Sequence, residues 1–204
     1  MPPLPKVGME PIRRRQLIEA TIASIREHGF ADTTVSRIGA AAGVSPGIVH
    51  HYFRGKGDLL EATMRFLLAD LRRQVVAHLA VAAGPRARLE AIIEGNFGPG
   101  QFSPETVAAW LAFWAQAGND PALARLERIN TRRLQGNLRH ALVRLMPRPR
   151  AASVALGLAA LIDGLSVRCA LDPAGVTRET ARRIARGYLA AELDAAAPAG
   201  TDET

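Results

Sequence analysis

Three side chains that carry both a ring and a polar atom stand together at His50, His51 and Tyr52, shortly after the turn-forming stretch Ser45-Pro46-Gly47. Imidazole nitrogens can bind a metal ion, or they can form hydrogen bonds with the bases and phosphates of nucleic acid. Neighbouring residues on a helix point about 100° apart, so His50 and His51 cannot chelate one ion well. The remaining histidines show no HExxH or other paired spacing. We therefore predict no metal site and consider a nucleic-acid partner.

The charge of the chain favours a polyanionic partner. Lysine and arginine number 26 against 19 aspartates and glutamates, which gives a formal net charge of +7. Such an excess is typical of proteins that bind nucleic acid or an acidic membrane surface, although an arginine-rich composition can also reflect a GC-rich genome. No signal-peptide core and no run of about 18 uninterrupted apolar residues is visible. We expect a soluble cytoplasmic protein without a membrane partner.

The residues offer no catalytic set. Cys169 is the single cysteine and lies in an apolar stretch. A single thiol excludes an intramolecular disulfide, and in apolar surroundings it indicates a small buried side chain rather than a nucleophile. No nucleophile with an adjacent base is apparent, so we predict that the protein is not an enzyme and carries no cofactor.

The elements around the histidines predict a helix-turn-helix. A first helix begins at Pro11 and ends at Gly29, and a short second helix over 35–42 has Thr34 as its N-cap. After the turn AGVS, Ser45 caps a third helix whose first residue is Pro46. Two short helices joined by a tight turn place the second one in the major groove of DNA. The alternative is an ordinary helical hairpin within an all-α core.

Gly47 lies in the first turn of this third helix, where a side chain is absent. We interpret it as a position at which the helix approaches DNA or its partner helix closely.

Helical periodicity continues through the rest of the chain. A fourth helix is predicted over 56–81, three more begin near Pro85, Pro104 and Pro121, and two C-terminal helices cover about 150–171 and 178–193. The predicted fold is all-α with about nine helices. We divide it into an N-terminal arm with a three-helix DNA-binding domain (1–56), a helical ligand-binding and dimerisation domain (57–195) and a disordered tail (196–204).

An aromatic cluster suggests a ligand site in the second half. Trp110, Phe113 and Trp114 fall at i, i+3 and i+4 and therefore share one helix face. Phe97 and Phe102 flank the preceding loop and could join them. Such rings suit a quaternary ammonium ion, which lacks N–H donors and is held by cation–π attraction. The alternative is an aromatic patch in the core.

Two carboxylates within apolar runs, Glu94 and Asp163, could supply the counter-charge for such a cation. Alternatively, each makes hydrogen bonds to a neighbouring helix, because buried carboxylates need partners. The residues alone leave both alternatives open.

The stretch TTVSRIGAAAGVSPGIVHHYFRGKGDLL, from Thr33 to Leu60, resembles the DNA-binding segment of the TetR family of bacterial repressors. His50 departs from that pattern, since many relatives have tyrosine there, and the base preference of relatives cannot be transferred. The resemblance implies that operator double-stranded DNA faces Ser45, Pro46, Gly47, His50, His51 and Tyr52, and that Thr34 and Lys56 hold phosphates.

Four further stretches, PKVGMEPIRRRQLIEAT, IIEGNF, WLAFWA and LAALIDGLSVR, resemble the choline-responsive repressors of glycine-betaine synthesis within this family. This implies a homodimer formed through the two C-terminal helices, and release from the operator by choline, an effector linked to osmotic stress. A TetR-type regulator of efflux or another pathway, sensing a different cationic or hydrophobic ligand, is the alternative. A helical interaction protein that does not bind DNA is a second alternative.

Overall fold

The computed structural model describes residues 9–172 and 174–196. Most of the predicted arm and tail, residues 1–8 and 197–204, lie outside the described residues. Within these ranges the fold is all-α, as predicted, and nine α-helices are joined by turns and one short 3₁₀ segment at Pro99–Gln101. The helices are α1 (Met9–Asp32), α2 (Val35–Ala41), α3 (Pro46–Tyr52), α4 (Lys56–Ala80), α5 (Gly84–Asn96), α6 (Pro104–Ala117), α7 (Pro121–Leu142), α8 (Arg148–Leu171) and α9 (Arg178–Asp194).

Four of the helices begin at the capping residues that the sequence predicts. Thr34, Ser45 and Thr177 accept hydrogen bonds from backbone N–H groups in the first turns of α2, α3 and α9. Asp120 does the same for α7. In α1, helical backbone already covers Met9, two residues before the predicted start, so that Pro11 lies in the first turn, where its missing N–H would have no partner within the helix. Its regular part breaks at Gly29, whose φ of 71° only glycine adopts readily.

The described helices pack into two compact units. The first comprises the described residues up to Ala69 together with Pro104–Glu127, and the second comprises Asp70–Ser103 with the described residues from Arg128 onward. Helix α4 therefore contributes to both units, and so does α7. The predicted functional boundary after residue 56 divides the chain by role rather than by packing, and it stays a prediction.

The core of the first unit lies among α1, α2, α3 and the start of α4. Its buried apolar residues are Leu17, Ile18, Ala20, Ile38, Val49, Phe53 and Leu59. Helix α6 also packs along α1 in this unit. Burying about seven such side chains supplies the hydrophobic stabilisation that the very short helices α2 and α3 lack by themselves.

The core of the second unit is built on α8, whose residues Val154, Leu158, Ile162 and Leu165 are buried. Helix α9 packs against α8, and α5 packs against α9. Where α5 crosses α4, a Cβ at Gly95 would lie 2.7 Å from the Cα of Val75, so the two backbones are in contact. No larger residue fits at this crossing.

Helix α8 is long and apolar enough to pass a length-and-composition test for a membrane-spanning helix, with a mean hydropathy of 1.5. Its buried side is the core of the second unit, which accounts for the hydrophobicity of that side. Only 39% of the apolar stretch is buried, however. An apolar surface on α8 is therefore left without a partner from the described residues of the chain.

Candidate functional site

Helices α2 and α3 form the predicted helix-turn-helix. The turn between them contains Gly43, whose φ is 67°, a conformation that favours glycine. The Ser45 hydroxyl accepts a hydrogen bond from the N–H of Ile48 at 3.4 Å and so caps α3. The sequence alone identified both ends of this turn.

Of the glycines in α2 and α3, Gly39 and not Gly47 lies closely against the neighbouring turn and helix. A Cβ at Gly39 would lie 2.9 Å from the carbonyl oxygen of Val44 and 3.4 Å from a methyl group of Val49. At Gly47 the nearest atom to a Cβ would be the Ser45 hydroxyl at 3.8 Å. The alternative in which Gly47 makes room for the partner helix is therefore wrong. A glycine in the interior of a predicted helix often marks a close contact, and this feature of the sequence could have identified Gly39.

Helix α3 has one buried side and one exposed side. Val49 is completely buried and Phe53, just after the helix, is 2% exposed. The residues predicted to face DNA lie on the exposed side, except for Tyr52, which is half-buried; the exposed ones are Ser45, Pro46, Gly47, His50 and His51. Ile48, which the sequence analysis did not single out, shares this side and is 42% exposed.

The two residues predicted to hold phosphates already make hydrogen bonds within the protein. Thr34 is exposed, and its hydroxyl already caps α2 by accepting from the N–H of Arg37. The Lys56 ammonium donates to the carbonyl oxygens of Phe30, at 2.9 Å, and Ala31, at 3.0 Å, and lies 4.5 Å from the centre of the Phe30 ring. An ammonium has three N–H donors, so one remains for a phosphate.

The aromatic residues of α6 form a contiguous cluster in the first unit. The Trp110 ring lies 5.8 Å from that of Phe113 and 5.5 Å from that of Trp114, measured between centroids. Phe113 is completely buried and Trp110 is 8% exposed, whereas Trp114 is half-buried. The burial of Phe113 and Trp110 is that of core residues, and Trp114 is the ring that retains an accessible surface.

The other predicted effector residues belong to the second unit. Phe97 is 1% exposed and meets Phe102 edge to face at 5.2 Å, and both pack into the apolar core there. Asp163 lies half-buried on α8.

Glu94 is held in a network of ion pairs between α5 and α9. Its carboxylate accepts hydrogen bonds from Arg182, and Arg186 contacts it at 2.7 Å. Arg186 also pairs with Glu90 at 2.9 Å. With two guanidinium groups bound, Glu94 is arranged as expected for a carboxylate that links neighbouring helices, which was the second of the two alternatives that the sequence left open.

The environment of the single thiol, Cys169, disfavours the thiolate form that a nucleophile needs. Burial raises the pKa of the Cys169 thiol above its ordinary value, whereas reactive cysteines have a lowered pKa. Among the described residues, no group of three or more His, Cys, Asp and Glu side chains is placed to hold a metal ion.

Comparison with known proteins decides the family. Residues 17–63 match the model for bacterial regulatory proteins of the tetR family, and residues 85–194 match the model for the C-terminal domain of BetI-type transcriptional repressors. The chain is a BetI-type member of the TetR family. It is similar to the HTH-type transcriptional regulator BetI 2 of Chromohalobacter salexigens, with 53% identity over 91% of both chains. BetI of Yersinia pestis is 47% identical over 94% of this chain and 98% of its own.

Solved structures agree with this assignment. A putative transcriptional regulator from Pseudomonas aeruginosa, 30% identical, superposes with a TM-score of 0.78 over 90% of this chain and 91% of its own. A putative regulator from Saccharomonospora viridis, solved in complex with choline, is 22% identical and has a TM-score of 0.76, with 88% and 96% of the two chains covered. The second likeness shows the shared fold. This BetI-type chain is thus a DNA-binding transcriptional regulator and not an enzyme.

Lys56 provides a test of how much of its role is structural. Lys56→Ala should lower the free energy of unfolding by about 1–3 kcal/mol, because two charge-assisted hydrogen bonds to carbonyl groups are lost. If the third N–H holds a phosphate, the slope of log K against log salt should also become shallower by about one unit, equally for operator and random DNA. Urea unfolding and fluorescence-anisotropy titrations at several salt concentrations measure the two effects.

Arg54→Ala, at an exposed neighbouring cation, is the control for lost charge. An unchanged free energy of unfolding in Lys56→Ala would contradict the contacts described, and an unchanged salt slope would remove Lys56 from the phosphate contacts.

Proposed function

We propose that this repressor reads its operator with the exposed side of α3. The observation that carries the proposal is the division of the helix into two sides. The buried side, with Val49 and Phe53, anchors α3 in the core, while His50 and His51 face solvent together with the first turn. Polar rings on an exposed helix can form hydrogen bonds with base edges in the major groove. The apolar side chain of Ile48, which lies between the first turn and His50 in the sequence, suits contact with a thymine methyl group.

We further propose that the repressor controls genes for the conversion of choline to glycine betaine and that choline is its effector. The support is the identity of about 50% with regulators named BetI, whose lengths the chain matches almost completely. A protein of the same fold was solved with choline, so the fold is compatible with this ligand. Glu94 is neutralised by arginines, so rings are better candidates for holding the cation. Trp114, half-buried on α6, is the ring with accessible surface.

Choline can release the operator only if it binds more tightly to a conformation that fits DNA badly. Helix α4 follows α3 directly and continues from the first unit into the second. We propose that this helix transmits the change. A repressor of this kind acts in the cytoplasm, where its DNA lies.

We propose that the second copy in a homodimer covers the exposed apolar side of α8 and α9. Leu156 and Leu171 on α8 are 58% and 67% exposed, and Ile184 on α9 is 38% exposed. Large apolar side chains that stay exposed on two helices packed against each other favour an interaction surface. Two recognition helices are also needed to reach successive major grooves, about 34 Å apart.

A different ligand is the second candidate function. Phe113 and Trp110 are buried as core residues are, so the support for an aromatic cage is reduced to Trp114, and a regulator that senses a different cationic or hydrophobic ligand is the alternative. A thermal-shift screen of cations and apolar compounds would distinguish this candidate from choline.

His51→Ala tests the reading of bases. If its ring contacts a base edge, affinity for the DNA upstream of its own gene should fall by about 1–3 kcal/mol, and affinity for random DNA should fall much less. Gel-shift titrations on both fragments give the comparison, and His50→Ala reports the neighbouring ring. Equal losses on both fragments would show that His51 contacts only the backbone.

Trp114→Ala tests the effector site. Choline affinity measured by calorimetry should fall by several-fold to roughly thirty-fold, since a cation–π contact contributes about 0.5–2 kcal/mol. Trp114→Phe should retain part of the affinity, and DNA binding should change little in either variant. The neutral isostere 3,3-dimethyl-1-butanol should bind to the wild type more weakly than choline.

Two outcomes would overturn the effector proposal in different ways. Normal choline affinity in a well-folded Trp114→Ala protein removes the ring from the site. A wild-type protein whose operator affinity does not respond to choline removes choline itself and leaves the alternative ligand.

Leu156→Glu tests the dimer. A charge within the proposed interface should make the protein monomeric at micromolar concentrations at which the wild type is dimeric, because an unpaired charge would be buried. Analytical ultracentrifugation measures the change. Val81→Glu alters a side chain that is 84% exposed outside this surface and should leave the dimer intact. A dimeric Leu156→Glu protein would place the interface elsewhere.

A further inference from the structure

The C-terminal end of the recognition helix α3 is held by a residue near the start of the chain. Arg14, on α1, donates from Nη1 to the carbonyl oxygen of Tyr52 at 3.0 Å. The central carbon of the same guanidinium lies 4.5 Å from the centre of the Phe53 ring. One side chain thus contacts both the last residue of α3 and the residue that follows it.

These contacts meet a need that a short helix cannot meet alone. The last carbonyl groups of a helix have no partner within the helix, and they carry the negative end of its dipole. The Arg14 guanidinium satisfies one of these oxygens and places a positive charge at that end. Phe53 is 2% exposed, so the ring beneath the guanidinium is itself fixed in the core. These two contacts of Arg14, which we call the Arg14 tie, link the end of α3 to α1.

The position of this tie gives it a function. His50, His51 and Tyr52 form the last turn of α3, and they include the rings proposed to contact DNA. If this turn frays, the rings lose their fixed directions, and base-edge hydrogen bonds depend on direction far more than phosphate contacts do. We propose that Arg14 is a positioning residue for sequence readout, which orders the last turn of α3 without itself reading a base. The proposal rests on the proposed role of α3 in reading the operator.

Arg15 is a control for the lost charge. It is the next residue on α1, it pairs with Glu19 at 2.8 Å, and it lies 5.8 Å from the ring centre of Phe66. It therefore has the same charge on the same helix and lies near an aromatic ring, but it is more exposed than Arg14 and its hydrogen bond goes to Glu19 instead of α3.

The experiment compares Arg14→Met, Arg14→Lys and Arg15→Met. For each variant, the dissociation constants for random DNA and for the DNA upstream of the gene are measured, and their ratio gives the specificity. Arg14→Met should lower this ratio by about ten-fold, the factor by which loss of one charge-assisted hydrogen bond would favour a frayed last turn over the ordered one. Arg15→Met should leave the ratio within about two-fold of the wild type, because the hydrogen bond of Arg15 goes to Glu19 and not to α3. Arg14→Lys, which keeps a donor and the charge, should recover part of the loss.

A second measurement requires no DNA. In the free protein, hydrogen exchange of the backbone amides in α3, measured relative to exchange in α2 of the same molecule, should quicken by about ten-fold in Arg14→Met. This arm detects loss of order in α3 even if the variant is less stable overall, because the two helices are compared within one molecule.

Each remaining outcome overturns the proposal. Equal weakening on both DNA fragments, with a shallower salt slope, would make Arg14 a phosphate contact. An unchanged ratio with a lower melting temperature would make its role only structural, and unchanged exchange in α3 would show that the tie does not order the helix. A wild type without preference for its upstream DNA would instead refute the proposed reading of the operator, and the positioning role would fall with it.

Discussion

The recognition helix is too short to be stable by itself. An isolated helix of fewer than about 12 residues is marginal in water because the first turn costs more than its hydrogen bonds return, and α3 has only seven residues. Its order must come from contacts at its ends and along one side. Ser45 provides the first end, Arg14 contacts the last, and the buried Val49 anchors the middle. The architecture of the first unit serves this requirement.

The same requirement divides the residues of α3 between two tasks. Side chains that anchor the helix are buried and unavailable to a partner, and those that remain exposed contribute little to the core. Gly39 makes the division possible, because its missing side chain allows α2 to lie against the backbone at Val44. The rings of His50 and His51 lie outside this buried side and stay accessible for the proposed contact with DNA.

In the second unit, charge and close packing restrict what a ligand could use. Glu94 is surrounded by guanidinium groups from α9, and Gly95, the next residue, brings α5 into backbone contact with α4 at Val75. A carboxylate with two cationic partners in a tightly packed crossing holds helices together. A cation is therefore better accommodated by an accessible aromatic ring than by this carboxylate.

The sequence by itself determined the helices and, to within two or three residues, most of their ends. Proline, serine and threonine at the first turns, glycine at the breaks and apolar residues at helical spacing act locally, within a few residues, and so can be read from the chain. Only the tertiary structure decided which groups were already engaged. The Lys56 ammonium binds carbonyls 25 and 26 residues away, and the Arg14 guanidinium reaches a residue 38 positions away. Glu94 meets arginines on a helix 88 positions further along. Such contacts depend on how distant helices pack, and no local pattern records them.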